Sequence, residues 1–438
     1  MSPGTENGLK PIAPFASQKR RWDVKVSKFA TNTVNPIREI VDNLKLEPNP
    51  DKQMIALSIG DPTVFGNLKP HSTIPKALCK ALESGKNNGY GPAVGFPAAR
   101  EAVAKYSRHQ GPVTAQDVIL CSGCSCALDM CISVLANPGE NILMPRPGFS
   151  IYRTLAEGMG IQVKYYNLLP EREWEVDLQH MRSQIDDKTR AMIVNNPSNP
   201  CGSVYTADHL RDILDIASEF RVPIIADEIY EHFVFPGNEF HSMASLSDDV
   251  PILSCGGLTK RFLIPGWRMG WIIINDRNDV FKGVRKGLQS LSTRIIGSNT
   301  LVQGALPEIL ADTPQEYYDD LVLTLARHAK LAYEMLKDLP GLTPVMPQGA
   351  MYMMIGLDME NFPEYKTEMD LVQELVKEQS VFCLPGQVFE YPNYMRMVLT
   401  VPEEMIEEAC KRIAEFCEQH YKMNNNIKKI NSVRVGCS

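Results

Sequence analysis

The chain has 438 residues, too many for one hydrophobic core, so two or more domains are expected. It is 44% hydrophobic and 22% charged, the composition of a globular protein, with no bias toward disorder or a collagen repeat. A net charge of −7 argues against an extended nucleic-acid surface, leaving small anions to local positive sites, and no apolar run approaches the length of a membrane span.

Eleven cysteines, an odd count without a secretory signal, fit a reducing compartment and no disulfide framework. Cys121-x-x-Cys124 resembles half a zinc or redox motif, but no second pair and no nearby histidine completes it, so no metal is expected. Residues 1–30 read as a flexible tail. The tail lacks the apolar stretch of a signal peptide, and Pro3, Pro11 and Pro14 interrupt any presequence helix. A cytoplasmic location is expected, with mitochondrial import the alternative.

Asn35-Pro-Ile-Arg38 leads into an amphipathic stretch over residues 39–46, and residues 54–59 read as a strand stopped by Gly60-Asp-Pro. Taken alone, Asn35 and Arg38 are a helix start and a surface charge. Residues 74–84 and 98–106 read as helices. Between them lies a glycine-rich loop, residues 88–95, that matches neither a dinucleotide fingerprint nor a Walker loop.

Strand and helix alternate from Asp117 onward, with strands at 118–121, 141–144, 191–194, 223–226, 252–253 and 271–274. Thr206 is placed to cap a helix over 206–220. Such alternation means an α/β fold, a mostly parallel sheet flanked by helices. Residues 281–310 and 314–337 read as helices, the second leading toward a smaller α+β domain. That domain holds strands at 350–355, 381–384 and 394–399 and a closing helix over 403–421. The expected organisation is a segment 31–75 joining the small domain, a large domain 76–325, a small domain 326–422 and a disordered tail 423–438.

The polar candidates Ser122, Phe149, Asn199, Asp227 and Lys260 each follow a strand, and ligands of open α/β sheets bind beyond the carboxyl ends of strands. The small-residue turn 122–125 runs into a helix N-terminus, a natural phosphate site. A lysine amine can form a Schiff base with a carbonyl compound. Buried, Asp227 needs a cation opposite, such as a protonated pyridine nitrogen. Phe149 can stack on a flat ring, while Tyr230 and Asn199 can hydrogen-bond a phenolic oxygen. Each residue also has a plain structural reading: a cap for Asp227, a turn for Asn199, core for Phe149. Together they describe pyridoxal 5'-phosphate.

At these residues the chain resembles the fold-type-I aminotransferases, and closely the tyrosine aminotransferase family. The matching pieces are Asn35-Pro-Ile-Arg38, residues 57–68, 195–204, Ala226-Asp-Glu-Ile-Tyr230 and 254–271. The likeness spans about residues 30–422.

The resemblance implies that Lys260 carries the cofactor and shuttles the proton. By the same likeness, Asp227 pairs with the pyridinium, Asn199 and Tyr230 hold the phenolic oxygen, and Phe149 stacks on the ring. Gly123, Cys124, Ser125 and Arg268 bind the phosphate, which Tyr90 reaches across a homodimer interface with shared active sites. Arg396 grips the substrate α-carboxylate, with Gly60 and Asn199 beside it.

It further implies transfer of the amino group of L-tyrosine, and other aromatic amino acids, to 2-oxoglutarate as the first step of tyrosine catabolism. No nucleic acid or membrane is implicated. Arg38 and Arg294 are candidates for a second cation that would accept a dicarboxylic substrate. Gly257 departs from the wider superfamily, which often has a hydroxyl there. Ser254, Thr259 or backbone alone is left to serve the phosphate. A carbon–sulfur lyase or another fold-type-I enzyme would keep the same core residues, whereas a nicotinamide dehydrogenase lacks its glycine fingerprint here.

Overall fold

The computed structural model describes residues 22, 24–44 and 46–422. The tail expected over 423–438, and that over 1–30 except residues 22 and 24–30, lie outside the described residues. In chain order the strands are β1 (Ile55–Ala56), β2 (Val118–Cys121), β3 (Asn141–Arg146), β4 (Gln162–Leu169), β5 (Glu175–Val176), β6 (Thr189–Asn195) and β7 (Ile224–Asp227). They continue with β8 (Ile252–Gly257), β9 (Gly270–Asn275), β10 (Leu342–Pro344), β11 (Tyr352–Leu357), β12 (Val381–Phe382), β13 (Leu384–Pro385) and β14 (Tyr394–Val398).

An eight-stranded sheet runs β2-β9-β8-β7-β6-β3-β4-β5. Pairings among β4, β3, β6, β7 and β8 are all parallel, so these strands share one carboxyl edge. β9 runs against β8 and β2, and β5 against β4. The exception at β9 has a local cause. Only the short loop carrying Lys260 joins it to β8, without the crossover helix that a parallel return needs. The central strands of the large sheet are buried almost throughout, β2, β7 and β8 completely, as expected of a sheet covered on both faces, whereas β4 and β5 at its edge are only partly buried.

The helices are α1 (Lys28–Asn32), α2 (Pro36–Asn43), α3 (Thr73–Glu83), α4 (Pro97–Tyr106), α5 (Cys124–Leu135), α6 (Ile151–Gly158), α7 (Leu178–Gln184) and α8 (Ala207–Phe220). After these come α9 (Lys282–Ser292), α10 (Thr300–Asp312), α11 (Gln315–Leu336), α12 (Glu368–Gln379) and α13 (Glu403–His420). α8 starts as read, with the Thr206 side chain accepting from the His209 N–H. Asn35 caps α2, its side chain accepting from the Ile37 and Arg38 N–H groups ahead of Pro36 at the first helical position. The single helix expected over 281–310 is two. Ile296 and Gly297 take positive φ of 59° and 86°, and Asn299 caps α10 afresh. Within the segment expected as a tail, the Ser27 side chain caps α1. β4, α6 and α12 have no counterpart in the sequence reading.

The smaller sheet, β10-β11-β14-β13, is antiparallel. β1 adds a short parallel pair with β12, tying residues 55–56 to the chain's last third. The strand read over 54–59 shrinks to those two residues because the backbone beyond turns to other partners. The Leu57 carbonyl accepts from the Val398 N–H, and Ser58 and Gly60 serve the cavity described below. Leu44, Ile55 and Leu57 share one apolar core with the inner faces of α11, α12 and α13 and with β11 and β14. Among the described residues, no helix is long and apolar enough to cross a membrane, and no group of three or more His, Cys, Asp or Glu is placed to hold a metal ion.

Candidate active site

The carboxyl edge of the large sheet opens on a cavity of about 410 Å³. Cys124, Ser125, Phe149, Asn199, Asp227, Tyr230, Lys260 and Arg268 line it from the loops after β2, β3, β6, β7 and β8. Gly60, Arg38 and Arg396 close it from the segment before α3 and from β14. Of the sequence candidates for the cofactor, Ser122, Gly123 and Tyr90 are not in the cavity wall: the first two lie in the turn just before Cys124, and Tyr90 is 89% exposed.

Lys260 is half-buried, and its Nζ donates to the Gly60 carbonyl at 2.8 Å. The same amine stands 5.6 Å from the centre of the Tyr230 ring. Asp227, the last residue of β7, is only 3% exposed. Burial raises its carboxyl above the usual range. Three donors restrain that rise: the Tyr152 hydroxyl at 2.6 Å, the Ile229 N–H at 3.3 Å and the Cys124 thiol at 3.6 Å. No ion pair of Asp227 exists among the described residues. A buried carboxylate so placed is costly until a cation faces it.

At the other end of the cavity, Arg396 is a cation 3% exposed, and burial lowers its pKa. One guanidinium nitrogen donates to Asn199 Oδ1 at 2.9 Å and another to the Ser58 carbonyl at 3.0 Å. Its Nε has no partner, and no carboxylate pairs with it among the described residues. The Tyr352 and Phe389 rings flank its Cζ at 4.3 and 4.9 Å. Asn199 is itself fixed, its N–H donating to Asn195 Oδ1 at 2.7 Å while Asn195 Nδ2 donates to the Asp227 carbonyl at 2.9 Å. This chain of bonds links the tips of β6 and β7 to the arginine on β14.

The third feature is the turn between β2 and α5. Helix α5 begins at Cys124, so its first N–H groups lack intrahelical partners and face the cavity with the positive end of the dipole. Arg268 leans over the turn, donating to Ser125 Oγ at 3.1 Å and to the Ser122 carbonyl at 3.2 Å. Gly123 has φ of 78°, and a β-carbon there would lie 2.5 Å from the Arg268 guanidinium, so only glycine lets the arginine in. Such a turn, with one arginine and a helix N-terminus, suits a phosphate group.

Gly257 has a steric explanation. A β-carbon there would meet the Met269 carbonyl at 2.7 Å, so the close β8–β9 pairing leaves no room for a serine or threonine. Ser254 does not compensate, since its hydroxyl accepts from Asn275 Nδ2 at 3.1 Å and lies outside the cavity wall; Thr259 is in that wall.

Several residues of the site carried no role in the sequence reading, among them Tyr152, Asn195, Tyr352 and Phe389. Tyr152 had a usable signal, since it follows Phe149 by three residues and so returns to the same side of the chain as α6 begins. For Tyr352 there was none, because a tyrosine inside the apolar run read as a strand over 350–355 looks like core. Arg294, read as a possible second cation, lies outside the cavity.

A half-buried amine, a buried acid, a turn suited to an anion and a buried arginine share one cleft at the carboxyl edge of an α/β sheet, the setting of an enzyme for small molecules. The family model described as "Aminotransferase class I and II" matches residues 52–413, and the chain belongs to that family. The tyrosine aminotransferase of Bos taurus is 58% identical over 412 residues, covering 94% of this chain and 92% of its own. That of Homo sapiens is 57% identical over 406 residues, 92% of this chain and 89% of its own. The crystal structure of tyrosine aminotransferase from Leishmania infantum superposes with a TM-score of 0.87 at 35% identity, covering 92% of this chain and all of that one.

Proposed function

We propose that this aminotransferase moves the amino group of L-tyrosine, and of other aromatic amino acids, to 2-oxoglutarate with the help of pyridoxal 5'-phosphate. The products are 4-hydroxyphenylpyruvate and L-glutamate, the first step of tyrosine catabolism. The observation that carries this reading is the buried Arg396 guanidinium, one nitrogen unused, in the same cavity as the Lys260 amine. A cation left without an acid in the interior is built for an incoming carboxylate, and the amine near it is built for a carbonyl. The relatives named tyrosine aminotransferase supply the donor.

The residues present fit the cofactor. Lys260 would hold its aldehyde carbon, Asp227 its ring nitrogen and Phe149 its ring face. Tyr230 and Asn199 would hold its phenolic oxygen. Gly123, Cys124, Ser125 and Arg268 would hold its phosphate, joined by Tyr90 of the partner subunit in a homodimer with shared sites. When bound, it supplies an aldehyde that captures the amino group and a ring that takes up the electron pair left at the α-carbon.

The protein's own groups do the rest. Arg396 orients the α-carboxylate, with Asn199 and the Gly60 loop beside it. Lys260, which would hold the aldehyde carbon at rest, would take the substrate α-proton on Nζ as general base and give it back as general acid. Asp227, as a carboxylate, would hold a positive charge on the ring nitrogen. A dicarboxylic co-substrate needs a second cation, and Arg38 at the cavity edge is the candidate. A cytoplasmic location completes the reading.

The test is turnover of the loaded protein with L-tyrosine. 4-Hydroxyphenylpyruvate should form only when 2-oxoglutarate is supplied. Lys260→Ala should bind cofactor yet lose turnover. Normal turnover in that variant would remove Lys260 from the mechanism. Release of pyruvate or ammonia without a keto acid, from a substrate with a β-sulfur, would instead identify a carbon–sulfur lyase.

A further inference from the structure

Tyr352 stands among these groups with no part in the chemistry above. It is 2% exposed, and its hydroxyl oxygen lies 2.8 Å from that of Tyr230. The Arg396 Cζ sits 4.3 Å from the centre of its ring. Gly60, whose carbonyl holds Lys260, passes so close that a β-carbon there would come within 3.0 Å of the Tyr352 hydroxyl. One side chain of β11 thus touches Tyr230 on the large domain, Arg396 on the neighbouring strand and the loop beneath the amine.

A phenol has one hydrogen to give and an oxygen that can accept. If Tyr230 donates to the cofactor's phenolic oxygen, it has nothing left to donate to Tyr352. The bond between the two hydroxyls must then run from Tyr352 to Tyr230. A donor feeding the oxygen of a second donor polarises the outgoing O–H and strengthens it.

The charged and titratable groups facing the pair are Lys260, Arg396 and Asp227. Burial raises the Tyr230 hydroxyl. On Tyr352 burial is outweighed by Lys260 and Arg396, which lower it. The more acidic hydroxyl is the better donor, the direction that the hydrogen count requires.

We propose that Tyr352 is a positioning residue with two contacts: its hydroxyl aims the Tyr230 O–H at the cofactor's phenolic oxygen, and its ring face holds the Arg396 guanidinium for the substrate carboxylate. The proposal rests on the cofactor reading above. A donor on the phenolic oxygen draws negative charge away from the neighbouring protonated lysine nitrogen, which then loses its proton at lower pH. Weakening that donor raises the pH at which the proton leaves.

The experiment compares wild type, Tyr352→Phe, Tyr230→Phe, the double variant and Tyr352→Leu, each loaded with cofactor and checked for folding by circular dichroism. The first readout is the pH midpoint of the visible absorption band. Tyr352→Phe should raise it by roughly half to one pH unit, the scale of one neutral hydrogen bond. Tyr230→Phe should raise it more, and the double variant should match Tyr230→Phe alone.

The second readout is the affinity for 3-(4-hydroxyphenyl)propionate, an unreactive carboxylate. It should hold in Tyr352→Phe, which keeps the ring, and fall about tenfold in Tyr352→Leu, which does not. Tyr352→Met takes its place should Tyr352→Leu fail to fold. An unmoved midpoint in Tyr352→Phe, additive shifts in the double variant, or unchanged affinity on loss of the ring overturns this proposal alone. A wild type without a visible band overturns the cofactor reading itself.

Discussion

Asp227 is costly to bury, and its environment shows how that cost is contained. Burial pushes the carboxyl up, and the Tyr152 hydroxyl at 2.6 Å is the largest influence pulling it back. Removing that donor leaves the carboxylate less stabilised, by about 1.5–3 kcal/mol for a hydrogen bond to a charged group. Tyr152→Phe should therefore raise the Asp227 pKa further. Because the ionised form is the one that can hold a positive ring nitrogen, the acid limb of kcat/KM should move to higher pH, and cofactor should bind about tenfold more weakly. A pH–rate profile and a cofactor titration on Tyr152→Phe check both. An acid limb at the wild-type position would detach Tyr152 from the function of Asp227.

The loop between β8 and β9 is the element on which the site turns. β8 brings the chain to the carboxyl edge of the sheet, Lys260 lies three residues beyond it, and β9 carries the chain straight back. Gly257 opposite Gly270 allows the two strands to close tightly just below the lysine. Restoring the superfamily hydroxyl should fail on steric grounds. Gly257→Ser would press a β-carbon to 2.7 Å from the Met269 carbonyl, part of backbone and not free to move aside. A loss of about 1–3 kcal/mol in stability is expected, the range for overpacking. Chemical denaturation measures it, and cofactor affinity should fall with it. Tighter cofactor binding in Gly257→Ser would show that a hydroxyl fits there after all.

For the molecule as a whole, the segment after β7 carries two more buried acids with opposite tendencies. Glu228 is pushed up to about 8 by burial and by Glu231, although it accepts from the Met243 N–H and the Ser242 hydroxyl, both at 3.0 Å. Burial also acts on Glu231, but His232 and His109 more than offset it and hold that carboxyl well below the usual range. The sign for Glu228 follows from linkage. Between its ordinary value of 4.5 and about 8, the folded protein keeps a proton that the unfolded chain has released, so this group makes stability fall as pH rises through that window. Glu228→Gln does not titrate there. Its melting temperature relative to wild type should climb by a few degrees from pH 5 to pH 8 and then level off. Thermal melts across that range provide the check, and a constant difference would mean that Glu228 is ionised throughout.

The repeating strand–helix order was legible in the residues alone, and with it a mostly parallel sheet and a carboxyl edge where Phe149, Asn199, Asp227 and Lys260 gather. Those features are local: periodicity, turn residues and caps such as Thr206 are written in neighbouring positions. Helix breaks depended on backbone conformation at single residues, so the turn at Ile296 and Gly297 escaped notice in an otherwise helical run. Short edge strands such as β5, and β4 with its mixed burial, carry weak patterns.

Tertiary packing makes the contacts that bring distant residues to that carboxyl edge. It brings Gly60, 200 positions away, under Lys260, and sets Arg396 against Asn199, 197 positions away. It hands Tyr152 to Asp227 and Tyr352 to Tyr230. Those contacts depend on how two sheets and their loops pack against each other. A tyrosine in an apolar strand reads as core until the packing shows which polar group its hydroxyl meets.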